Sequence, residues 1–240
     1  ITSHCSRRLT LSRPWLSPSP RQPQSLLSPG VMRHREGWGV FRIIVSFLMV
    51  SISACASTEN ISVEPSGEFA EIDVEDDQRA IERLMREEGS AIAAVLKEPD
   101  GYSPPVLYAL SHALFENERE EEAMFWFYLG QLRARSDANK SLDPSARQAV
   151  SVLNQQFGTN INQFAFQDIE LLKQTVFKVL EWDEAHERQY DPRWIALHGM
   201  GAFTQSEIAF EPPQKWREID VQTRNDYLSG FTSALKQISE

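Results

Sequence analysis

From Ile72 to the C-terminus, apolar residues recur at helical rather than strand spacing. Ile81, Leu84, Met85, Ile92, Val95 and Leu96 follow a three-to-four-residue repeat with charges between them. Acidic residues between Asp73 and Asp77 stand where the helix dipole favours them, and Glu98-Pro99-Asp100-Gly101 ends the pattern. Ser103-Pro104-Pro105 opens a second helix, since proline is tolerated in a first turn. Its apolar face is Leu107, Leu110, Ala113 and Leu114. Asn117 to Arg119 predict a turn, and Ala123, Phe127, Gly130 and Leu132 a third helix reaching about Arg135. Asp143 as N-cap with Pro144 at the first helical position starts a helix through Val150 and Leu153 to about Phe157. Gly158 is expected as its C-cap, and residues 159–163, Thr-Asn-Ile-Asn-Gln, as a polar loop. Asp168 caps a helix carrying Ile169, Leu172, Val176, Val179 and Leu180. Residues 183–192 look turn-like, and 194–203 are apolar but weakened as a helix by Gly199 and Gly201. A last helix from about Asp220 has Tyr227, Leu228, Phe231 and Leu235 on one face. No alternation demands a sheet. The predicted fold is all-α, a single domain of six or seven helices over 72–240.

Upstream of that domain the pattern changes. Ile43 to Val50 is apolar but far shorter than the roughly 20 residues a membrane-crossing helix needs. Arg33, Arg35 and Arg42 precede it, and Ile52-Ser53-Ala54-Cys55 follows. A basic stretch, a short apolar core and small residues at a cleavage point make a secretory signal over 32–54. Ile52-Ser53-Ala54-Cys55 resembles the lipobox of a bacterial lipoprotein signal peptide. That resemblance implies cleavage before Cys55 and lipid attachment to its thiol. Ala56 rather than aspartate after the cysteine implies the outer membrane in a Gram-negative host. Residues 55–71, polar and containing Pro65 and Gly67, read as a flexible tether. Residues 1–31, rich in Ser, Pro and Arg, cannot bury enough apolar surface to fold. They read as upstream read-through, with Met32 the favoured start and Val31 the alternative.

Charge sharpens the division. Seven Lys and Arg against Glu36 alone precede Cys55; from Cys55 onward 17 basic residues face 33 acidic ones, a formal charge of −16. Such a body repels phosphate backbones, so nucleic acid is not an expected partner. An acidic surface is first of all a solvated one; its sharper reading is a face for a basic partner. The only cysteines are Cys5 and Cys55, which leaves no disulfide framework and no cysteine zinc site.

Residues 105–135 resemble one tetratricopeptide or Sel1-type helical hairpin, through Leu110 and Leu114 on the first helix and Ala123 with Phe127 on the second. No second copy follows at a spacing of about 34 residues, so a repeat array is not expected. In such folds the groove beside a hairpin receives a partner peptide, which points to Trp126, Tyr128, Arg133 and Arg135 as partner-binding candidates, against the plainer reading of core residues, Phe127 at least among them, followed by an exposed basic helix end. Asn160, Asn162, Gln163 and His198 are candidates for a small-ligand pocket on loops, although amides also serve simply to hold irregular backbone. Asp183, His186 and Glu187 could bind a divalent cation or exchange protons, against the plainer reading of a solvated helix end. No phosphate loop, nucleophile elbow or zinc-protease helix is present, and neither a catalytic residue, a metal nor a cofactor is assigned. The sequence thus predicts a non-enzymatic, lipid-anchored envelope protein that binds another envelope protein. Alternatives are an immunity-type lipoprotein neutralising a toxin at the envelope, and a hydrolase using His186 or His198.

Overall fold

The computed structural model describes residues 65–239. The signal, Cys55 and residues 1–64 lie outside them. Eight α-helices make up the described chain: α1 (Glu75–Met85), α2 (Gly89–Lys97), α3 (Pro104–Glu116), α4 (Glu120–Lys140), α5 (Gln148–Ala165), α6 (Ile169–Ala185), α7 (Gly201–Thr204) and α8 (Pro213–Ser239). Short 3-10 turns occupy Gly67–Glu71, Pro99–Gly101, Pro144–Arg147 and Pro192–His198. The fold is all-α. Among the described residues the only strand-like pairing is an isolated antiparallel bridge between Ser141 and Phe210.

The architecture is built around α4, which packs against α3, α5, α6 and α8. α3 and α4 are joined by Asn117–Arg119 and lie along each other; a Cβ on Gly130 would sit 3.3 Å from Leu107 and Tyr108. Val106 to Leu110 are all fully buried, as are Met124, Phe127, Leu129 and Leu132 of α4. A helix enclosed on all sides needs apolar residues all round, which is why one-faced periodicity fades in α3 and the middle of α4, while the last turns of α4 bury polar residues instead.

Several boundaries differ from the sequence expectation, each for a physical reason. The periodic stretch from Ile81 to Leu96 is two helices, because Glu87 adopts a left-handed conformation (φ 57°) and the Glu88 carbonyl restarts the ladder by accepting from Ala91 and Ile92. α4 continues past Arg135 to Lys140, its polar last turns being paired inside the molecule. Gly158 lies within α5 rather than at its end. A Cβ there would stand 2.9 Å from Cζ of Phe127, so the glycine serves close packing of α5 on α4. Residues 159–163 are therefore helical, not a loop. Asp143 does cap, but it caps the 3-10 turn that leads into α5. α6 extends to Ala185, and α8 begins at Pro213, seven residues before Asp220. The ordered body also reaches back to residues 67–71 of the expected tether: Phe69 is buried against Ala196 and Ala202, and the Glu68 amide donates to the Ser206 carbonyl at 2.9 Å.

Candidate functional site

Three of the four hairpin residues expected on a binding face are inside. Arg133 has no exposed surface; Trp126 is 6% and Tyr128 7% exposed. Trp126 belongs to an aromatic cluster with Phe125 and Trp182, ring centroids 5.1 and 5.9 Å away. The Tyr128 hydroxyl donates to Oδ1 of Asn162 at 2.9 Å. Only Arg135 is exposed, its guanidinium 5.1 Å over the Tyr227 ring. The burial of the other three matches the plainer reading of core residues before an exposed basic helix end: α5, α6 and α8 cover the faces of α4 that a hairpin alone would have left open.

The expected loop pocket is not assembled either. Asn160 and Gln163 are exposed on α5, and Asn162 is engaged by Tyr128. Asn160 helps line a hollow of about 130 Å³ with His112, Phe115 and Phe157; Asn162, Gln163 and His198 form no part of its wall. His198 ends a 3-10 turn edge-on to Trp194, at 5.7 Å. His186 stacks flat on Trp182 at 3.8 Å, with Nδ1 2.9 Å from the Trp182 carbonyl oxygen. Among the described residues no group of three or more His, Cys, Asp or Glu could hold a metal ion.

Asp183 points inward, contrary to the solvated helix end expected of it, and belongs to the most unusual feature of the interior. Its carboxylate accepts from Arg133 Nε at 3.0 Å, Arg188 Nη2 at 2.9 Å and Arg224 Nη1 at 3.0 Å. Arg133 also donates to Asp100 at 2.8 Å. Arg188 reaches on to Asp220 at 2.7 Å, where Lys140 arrives at 2.8 Å and the Ser136 hydroxyl also donates. Asp137, fully buried, accepts from Lys140 at 3.2 Å, from the Tyr190 hydroxyl at 3.0 Å and from Trp194 Nε1 at 2.9 Å.

Four carboxylates and four cations thus tie the 99–101 turn, α4, α6, the 186–191 segment and α8 into one charge-balanced cluster. Buried charges persist only when paired and hydrogen-bonded, and here every carboxylate meets a cation. Burial pushes the Asp183 carboxyl up, but Arg188 and Arg133 outweigh it and hold it below the usual range. Burial, then the Asp137 charge, push the Tyr190 phenol well above its ordinary value, keeping it a hydrogen-bond donor. Chemically the cluster is a clamp: its carboxylates are committed to cations, and none stands free as a base. The sequence carried one sign of it, the i, i+4, i+7 spacing of Arg133, Asp137 and Lys140 along the C-terminal half of α4, with Asp220 and Arg224 repeating the i, i+4 step on α8.

Beside the clamp lies an open groove of about 560 Å³ between residues 189–193 and 208–216. Tyr190, Phe210 and Trp216 give it aromatic walls, and Glu68, Asp191 and Glu211 give it carboxylates. The wall is fixed to the body: the Leu142 amide donates to the Ala209 carbonyl at 2.9 Å and the Glu211 amide to the Lys140 carbonyl at 2.8 Å. Trp216 Nε1 donates to the Glu211 carbonyl at 2.6 Å, and the Ile208 amide to Oε2 of Glu68 at 2.7 Å. The clamp supports the groove from below, Tyr190 through Asp137 and Trp216 through Lys140, whose ammonium is 5.8 Å from the indole. No protein-family model, curated protein or solved structure matches the chain.

Proposed function

We propose that this chain is a lipid-anchored protein of the bacterial envelope that acts by binding another protein. In a Gram-negative host its place is the periplasmic face of the outer membrane. The observation that carries the binding reading is the groove: rigid aromatic and proline walls on an acidic body, held in shape by a clamp whose charges are already spent on one another. Rigid aromatics bind at small entropic cost and are common interface anchors. The histidines that a hydrolase would use are instead packed against tryptophans. Anchoring is supported by the signal-like sequence ending at Cys55. No helix among the described residues is long and apolar enough to cross a membrane.

Crosslinking in the native host, followed by affinity recovery and mass spectrometry, tests the binding reading. The expected result is one dominant partner; recovery of none above background overturns it. Anchoring is tested separately. Cys55→Ser is expected to move the protein from the membrane fraction to the soluble fraction, and persistent sedimentation of that variant with membranes refutes the lipid assignment.

A further inference from the structure

We propose that the groove between residues 189–193 and 208–216 binds a lysine- or arginine-bearing segment of the partner protein. This rests on the binding reading above and gives it a chemistry.

The lining selects against other occupants. Glu68, Asp191 and Glu211 face a single lining cation, Arg193, so the wall carries a formal charge of −2. Arg193 is held first by Asp191, through Nε at 3.0 Å and Nη2 at 2.7 Å, and only more weakly by the charge of Glu68. Glu68 accepts from the Ile208 amide through Oε2 alone, and Glu211 meets Lys215 Nζ through Oε2 at 3.0 Å. Among the described residues no hydrogen bond reaches Oε1 of either, which leaves that oxygen for an incoming donor. An acidic segment would be repelled here. A wholly apolar one would strip water from those carboxylates without replacing it. A cationic side chain meets both carboxylates and aromatic rings among the lining residues, where cation–π attraction adds to the ion pair. The molecule already uses this combination once, in Lys140 between Asp220 and the Trp216 indole. The groove lies within the range in which binding clefts occur, roughly 300–1,000 Å³. The wider acidic body would steer a basic partner toward it.

The test uses the full chain in detergent and three acetylated, amidated octapeptides on the frame Gly-Pro-X-Pro-Gly-X-Pro-Gly, with X lysine, glutamate or norleucine. Calorimetry is expected to show the lysine peptide binding at least about ten-fold more tightly than the other two, and more weakly as added salt screens the charges. Glu68→Gln with Glu211→Gln keeps the acceptor for the Ile208 amide and removes the charge; it is expected to cost about ten-fold in affinity. Arg193→Gln frees Asp191 and is expected to tighten the lysine peptide, a change of sign that a loosened fold would not produce. Equal binding of the three peptides, no binding of any, or an unchanged affinity in the double variant overturns the proposal. So does spermidine binding as tightly as the peptide, because the site would then take free polycations. A partner recovered from the host but crosslinked away from 189–193 and 208–216 sinks the groove assignment and leaves the binding reading standing. Peptide binding with no partner in the host does the reverse.

Discussion

Asp183 accepts from three guanidinium groups, and that makes it the residue whose loss the interior can least absorb. Asp183→Asn keeps the volume and leaves Arg133, Arg188 and Arg224 without their counter-charge. Breaking a buried ion pair from one side costs about 3–5 kcal/mol, so the variant is expected to melt roughly 10 °C or more below the parent in a thermal scan. A coincident melt would mean that the clamp contributes nothing. The acid limb follows from the same residue. Because the folded-state value of Asp183 is depressed, its contribution is present above the unfolded value near 3.8 and is lost as pH falls through the lower folded value. Asp137, lifted by burial against the pull of Lys140 and Arg188, works in the opposite sense. Stability measured against pH should therefore fall less steeply below about pH 4 in Asp183→Asn than in the parent. At this scale the caps were legible: Asp143 and Asp168 both accept amides as their positions in the sequence imply. The clamp was not, since Asp100, Asp137, Asp183 and Asp220 are spread over more than a hundred residues and look like ordinary surface charges until the helices meet.

Gly158 shows what periodicity can and cannot say about a helix. A glycine inside a solvent-facing helix is a liability of about 1 kcal/mol against alanine, and Gly158→Ala would ordinarily stabilise. Here the new Cβ would meet Cζ of the buried Phe127 at 2.9 Å and Nδ2 of Asn162 at 3.0 Å. The expected outcome is destabilisation by about 1–3 kcal/mol in denaturant unfolding, the usual range for overpacking. A more stable variant would mean that α5 can slide on α4. Reading Gly158 as a cap failed because glycine followed by Thr-Asn-Ile-Asn-Gln is locally loop-like. What keeps the segment helical is the partner helix, which no local window contains. α6 was legible because its apolar stripe, Leu172, Val176 and Val179, is buried on one side only.

For the whole molecule, the all-α class followed from periodicity and the absence of alternation. What did not follow was the closure of α4, since a chain reading shows that helices have apolar faces but not how many partners share one helix. The closing piece at the N-terminal end is Gly67. It sits at φ 60°, and its missing side chain lets the Ser206 carbonyl lie against its backbone. Gly67→Ala is expected to free residues 67–71 from 206–208, so that the Glu68 and Ile208 amides lose protection in hydrogen exchange while the α4 amides keep theirs. Unchanged protection would show that Phe69 alone holds the segment. This pin also fixes an outer radius. About 11 residue steps separate Cys55 from Ser66, and even a fully drawn-out chain of that length covers only ~40 Å. On the proposed lipid attachment at Cys55, the groove, which Glu68 itself helps to line, would be confined to a thin shell above the bilayer. The search for the proposed partner would then happen across a surface rather than through a volume. Within such a shell a second membrane-bound molecule is met at an effective concentration that can reach the millimolar range, so modest affinity per encounter is enough for lasting occupancy.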